Sequence, residues 1–119
     1  MAPYLLNAFP VFTVSDLAQA LHFYRDQLGF IVHWQWGSPA VRAGVMRDGI
    51  ELHLHVAEAD ETPGGGAIYV HMTGIEPYYA QCQEAGTLMT RPLETRPWGV
   101  VDFAVRDPDG NRIGFAQRL

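Results

Sequence analysis

Pro97-Trp98-Gly99-Val100-Val101-Asp102-Phe103-Ala104-Val105-Arg106-Asp107-Pro108-Asp109-Gly110-Asn111-Arg112-Ile113-Gly114-Phe115 is the stretch whose reading decides the fold. Two apolar-rich runs flank Asp-Pro-Asp-Gly. Proline fixes φ near the value a turn needs, aspartate bonds its own backbone, and glycine takes a positive φ without steric cost, so the stretch reads as a β-hairpin. Trp98, following a proline in a turn-rich segment, opens it and is expected at the surface.

Upstream of the hairpin the pattern predicts a strand near Thr87–Arg91, a helix over Ile75–Ala85 stopped by Gly86, and a strand over Ala67–Met72. Ile75, Tyr78, Tyr79 and Cys82 form one stripe of that helix, and Pro77 sits in its first turn, where it breaks no hydrogen bond. Glu58–Gly66, with Pro63 and three glycines, reads as a linker. The same order precedes it. Leu5–Val14 is apolar and β-branched, with Pro10 inside it, which marks an edge strand or a hinge. Ser15 is a candidate N-cap for a helix over residues 16–28, whose Leu17, Leu21, Tyr24 and Leu28 recur at helical spacing before Gly29. Strands over Phe30–Trp36 and Ala40–Arg47 follow. A tight Asp48-Gly49 turn then leads into Ile50–Ala57. In that last strand Ile50, Leu52, Leu54 and Val56 alternate with Glu51, His53 and His55, so period two sends the aliphatic set under the helix and the polar set to the other face. The chain therefore reads as two βαβββ modules, 1–60 and 61–119, packed as one α+β domain whose curved mixed sheets surround a cleft.

Length and composition agree. With 119 residues and 48% hydrophobic content, the chain can bury one core. No basic leader and no apolar run of membrane-spanning length is present, so a cytoplasmic location without membrane contact is expected. The single cysteine, Cys82, reads as a packed core thiol. A net charge of −5, without a Lys/Arg stripe, argues against nucleic acid as a partner.

Three pieces of the sequence carry a resemblance: Pro10-Val11-Phe12-Thr13-Val14-Ser15-Asp16-Leu17, Phe23-Tyr24-Arg25-Asp26-Gln27-Leu28-Gly29-Phe30, and the Trp98–Phe115 hairpin. Together with the duplicated βαβββ order they make the chain resemble the vicinal oxygen chelate (glyoxalase/bleomycin resistance/dioxygenase) superfamily, and most closely its bleomycin-resistance branch. Enzymes of that superfamily hold a divalent metal with side chains from the first and fourth strands of each module. The matching positions here are Phe9, Glu51, Ala67 and Gly114, and three of these cannot coordinate an ion. The resemblance thus implies no cofactor, no inherited metal site and no catalytic residue. It implies instead a homodimer, with a first strand that can be exchanged at Pro10, that sequesters a flat and cationic small molecule such as a bleomycin-type antibiotic.

The residues expected to bind that ligand are Trp34, Trp36, Glu51, His53, His55, Tyr69, His71 and Trp98. Aromatic faces attract flat rings and cations without strict directional demands. The resemblance places Trp98 and Tyr69 where bleomycin binders carry tryptophan, and Trp34 where they carry an aromatic residue. The alternative is a metal-dependent glyoxalase- or dioxygenase-type enzyme with a rebuilt site from Glu51, His53, His55 and His71. Histidine is the commonest metal ligand, but residues two apart on a strand stand about 6.5–7 Å apart, so such a site needs pairing across strands.

Overall fold

The structure, a computed structural model, describes residues 1–119. Its elements run β1 (Val11–Val14), α1 (Leu17–His22) continuing into a π-helical turn (Phe23–Gln27), β2 (Ile31–Gly37), β3 (Ala40–Arg47), β4 (Ile50–Val56), β5 (Ala67–His71), α2 (Ile75–Glu84), β6 (Met89–Arg96), β7 (Val100–Arg106) and β8 (Arg112–Arg118). The strands form two four-stranded sheets, ordered β1-β4-β3-β2 and β5-β8-β7-β6. Each βαβββ module thus builds its own sheet by the same path. The strand before the helix joins in parallel, β1 on β4 and β5 on β8, and the remaining pairs are antiparallel.

Four local expectations need correction. The first strand begins at Val11 and not at Leu5. Val11 pairs with His53 in parallel, so residues before Ala8 run past the β3–β4 turn and lie exposed. Pro10 stands outside the strand, its carbonyl accepting the His53 N–H at 2.9 Å. The N-cap of α1 is Asp16, whose carboxylate accepts the Gln19 N–H at 2.9 Å, whereas the Ser15 N–H donates to Asp109. The first helix changes to π geometry at Phe23, with the Leu28 N–H reaching back five residues to the Phe23 carbonyl. The wider turn lets the adjacent Phe23 and Tyr24 both enter the core. Finally, β6 runs on to Arg96; Pro92 is tolerated because the strand lies at a sheet edge and its register is irregular between Arg91 and Glu94.

One face of each sheet is covered by a helix, α1 over β3 and β4 and α2 over β7 and β8. These covered faces share a single core. Phe12, Tyr24, Leu28, Leu52 and Leu54 of the first module join Tyr78, Cys82, Phe103, Ile113 and Phe115 of the second in one buried cluster. Polar ties run through the same region: the Tyr78 hydroxyl donates to the Leu28 carbonyl at 2.7 Å, and the Asn111 amide donates to the Thr13 carbonyl at 3.1 Å. Cys82 is fully buried as a core thiol. The opposite face of each sheet is left uncovered, and there the candidate site residues lie. No helix is long and apolar enough to cross a membrane.

Candidate functional site

On the first sheet, β4 turns Glu51, His53 and His55 to the uncovered face while Leu52 and Leu54 fill the core. Glu51 is central. Its two carboxylate oxygens contact His33 Nδ1 at 2.9 Å and His53 Nε2 at 2.8 Å. An ionised carboxylate only accepts, so these are the protonated nitrogens of the two rings. The hydrogen bond from His53, helped by that from His33, holds the Glu51 carboxyl below the usual carboxylate range against the cost of desolvation. His33 reaches Glu51 because of a β-bulge: Val32 pairs with Val45 and Trp34 with Gly44, so two steps on β2 match one on β3. His33 and Trp34 therefore share the uncovered face. Trp34 lies over Gly44, where a Cβ would strike the indole, and meets His53 edge-on at 5.0 Å. Phe9 stacks on the same imidazole at 4.7 Å and 19°. Trp36 is 67% exposed beside these groups, across from Arg42.

His55 departs from this set. Its Nε2 donates to Glu61 at 2.8 Å, and Glu61 also accepts the Glu58 N–H at 2.9 Å; the backbone bond first and the His55 bond second hold the Glu61 carboxyl low. His55, Glu58 and Glu61 offer ligand atoms within 4.8 Å of one another, the one gathering in the chain with donors for an ion. Arg42 is close enough to act on Glu61, which works against a cation there. The alternative rebuilt site of Glu51, His53, His55 and His71 does not assemble. Glu51 and His53 are engaged with His33, His55 turns to the linker, and His71 stands on the other sheet, edge-on to Tyr69 at 5.6 Å.

The second sheet builds a different surface. The pairing of Tyr69 with Gly114 and of Gly114 with Ala104 sets small residues in its middle, and Tyr69 lies over Gly114. The result is a cavity of about 330 Å³ with Ala67, Ala104 and Gly114 as its floor and Tyr69, Arg91 and Arg112 around it. The Tyr69 hydroxyl donates to Asp102 at 2.6 Å, and Arg96 Nε donates to the other Asp102 oxygen at 2.6 Å. Desolvation raises the Asp102 carboxyl, but these two bonds outweigh it and hold the group below its ordinary range. Burial first, and the bond to Asp102 second, push the Tyr69 phenol up. Trp98 is 59% exposed, with the Arg91 guanidinium 6.0 Å from its ring centre. A larger groove of about 660 Å³ separates the β3–β4 turn from the start of α2, and His71 lines its rim.

The eight expected residues therefore fall into two sets, Trp34, Trp36, Glu51, His53 and His55 on one sheet and Tyr69, His71 and Trp98 on the other. Sequence reading passed over Asp102, Arg91, Arg96 and Arg112. Asp102 had a signal: it is the one acid inside the apolar run Val100–Val105.

Against known proteins, a family model described as the glyoxalase/bleomycin resistance protein/dioxygenase superfamily matches residues 8–115. The chain belongs to this superfamily. Among superfamily relatives, the bleomycin resistance protein of Geobacillus stearothermophilus is 28% identical over 134 aligned residues, covering 97% of this chain and 98% of that protein. Virulence protein STM3117 of Salmonella typhimurium is 31% identical over 117 residues, covering 90% of this chain and 80% of the relative. The bleomycin-binding protein of bleomycin-producing Streptomyces verticillus, solved with copper(II)-bleomycin, superposes with a TM-score of 0.78 at 28% identity, covering 96% of this chain and 97% of the other. The superfamily fold thus extends over both sheets.

Proposed function

We propose that the protein binds and sequesters a flat small molecule of the antibiotic kind in the cytoplasm, without changing it chemically and without a metal. The crevices form where the uncovered sheet faces of two copies meet in a homodimer. The observation that carries this reading is the set of exposed rings on the uncovered faces, Trp36, Trp98 and Tyr69, the last 48% exposed. A chain that buries Phe103, Phe115 and Tyr24 completely or nearly so has no packing reason to leave them out. Stacking surfaces of this kind hold an extended ring system by its faces.

Three features support two copies. The radius of gyration is 15.2 Å, against roughly 13.5 Å for a compact chain of this length. The uncovered faces meet no second layer within the chain. The arm before β1 carries exposed Tyr4, Leu5 and Leu6, side chains that a neighbouring copy would cover. The relatives, a bleomycin resistance protein and a bleomycin-binding protein, support the same class of activity. At three of the four positions that hold metal in superfamily enzymes, Phe9, Ala67 and Gly114, no donor exists.

The test is tryptophan fluorescence against a panel of flat aromatic compounds, with light scattering for the dimer. Trp98→Ala should weaken binding about 5- to 150-fold, given roughly 1–3 kcal/mol for one stacked ring; unchanged affinity removes Trp98 from the site. The grouping of His55, Glu58 and Glu61 favours a second reading, a metal-dependent enzyme. That reading requires close to one metal equivalent per purified chain by mass spectrometry, and such a result would displace sequestration.

A further inference from the structure

We infer that the hollow in the second sheet selects a planar aromatic anion, such as an aromatic carboxylate or phenolate, over a cation of the same shape. This rests on the reading that the uncovered faces bind a flat ligand, and it reverses the charge preference that the family resemblance implies.

The argument begins with register. Ala67 pairs with Arg112, Tyr69 with Gly114, and Ala104 with both Gly114 and Arg91. Small residues at the centre create depth. The two guanidiniums stand at the margins, Arg112 on β8 and Arg91 on β6. Neither Arg91 nor Arg112 makes a side-chain hydrogen bond or ion pair within the chain. The only carboxylate lining the hollow is Asp102, 2% exposed. It is spent, because one oxygen accepts from Arg96 and the other from Tyr69. Arg96 is shared with Glu94, which lies outside the lining. Within one copy, a ligand entering here meets two guanidiniums with no hydrogen-bonded acid of their own, Arg91 acting on Asp102 only through space, and no available carboxylate.

The chain as a whole carries a net charge of −5, which would draw cations from a distance. At physiological salt, however, charges beyond about 8 Å are screened, so the groups bordering the hollow decide the preference. Arginine suits this ligand in both of its parts. Its planar fork binds a carboxylate through paired N–H donors, and its face stacks on rings, as Arg91 already does with Trp98.

A matched pair of probes separates the possibilities: 9-anthracenecarboxylate and 9-(aminomethyl)anthracene, titrated by tryptophan quenching at neutral pH and physiological salt. The carboxylate should bind about tenfold more tightly, the effect of one or two charge-assisted hydrogen bonds. Arg91→Gln and Arg112→Gln should each weaken the carboxylate several-fold and leave the amine unaffected or improved, with Arg91→Lys restoring part of the loss. Both arginines are surface residues, and thermal melts of the variants check that the fold is intact. Equal or tighter binding of the amine, or indifference of the carboxylate to both Gln variants, overturns the charge assignment while leaving a flat-ligand site. If neither compound binds, the flat-ligand reading falls and the charge assignment falls with it.

Discussion

Tyr24 of the first module donates its hydroxyl to Asp107 of the second at 2.9 Å, both residues being buried. Asp107 is saturated: its other oxygen accepts the Asp109 and Asn111 N–H groups, and the Asn111 amide shares the oxygen that Tyr24 uses. Tyr24→Phe should lower stability by about 1.5–3 kcal/mol, the value of one hydrogen bond to a charged group. Asp107→Ala strands four donors and should cost more, about 3–5 kcal/mol. Urea unfolding of the two variants measures both.

Gly114 has room for no side chain, since a Cβ would press on the Tyr69 ring from below. Gly114→Ala should lift the ring, break its bond to Asp102 and alter the near-ultraviolet circular dichroism. The cost in stability is expected to be about 1–3 kcal/mol. The same substitution at Gly44 should displace Trp34 on the other sheet. An unchanged aromatic spectrum in both would mean that the rings do not depend on these glycines.

Glu51 makes stability depend on acidity. Its folded carboxyl titrates below the ordinary range because His53 and His33 bond the ionised form. The contribution is therefore complete above the ordinary glutamate value and is lost as pH falls through the lower, folded one. Wild type should melt above Glu51→Gln at neutral pH, and the gap should close under acid conditions. A gap that stays constant with pH would assign the effect to packing.

Burial pushes the Cys82 thiol up to about 11. Little thiolate exists at pH 8, and the sulfur is inaccessible. A disulfide reagent should react only at the rate of unfolding, so labelling should accelerate in step with added urea.

Residues 1–9 contribute nothing to the core. A chain lacking them should keep its melting transition within a few degrees, yet sediment as a single copy if the arm joins a homodimer. A shortened chain that still pairs would move the contact elsewhere.

Much of this architecture was legible in the sequence because period-two alternation and turn chemistry are local. Ala40–Arg47 has the expected bounds, and Glu51, His53 and His55 share the expected face. The site was harder. His33 joins Glu51 only through a bulge, and no local pattern announces where an extra residue enters a strand. His55 leaves its neighbours because Glu61, six residues on, folds back from the linker. Leu5–Asn7 reads as strand by composition, yet pairing requires a partner, and β4 begins too late to supply one. The Asp102–Arg96 pair spans a turn and becomes visible only when both side chains point to the same face.

Thr13 stands near the start of the chain, yet its carbonyl accepts from the Gly64 N–H and from the Asn111 amide, while Ser15 is held by Asp109. During synthesis the first strand and helix emerge long before the turn that secures them. A nascent chain ending short of Asp107 lacks the groups that close β1, so cooperative folding of the two sheets requires the segment through Asn111. Fragments cut at the linker should be substrates for proteases rather than independent half-proteins.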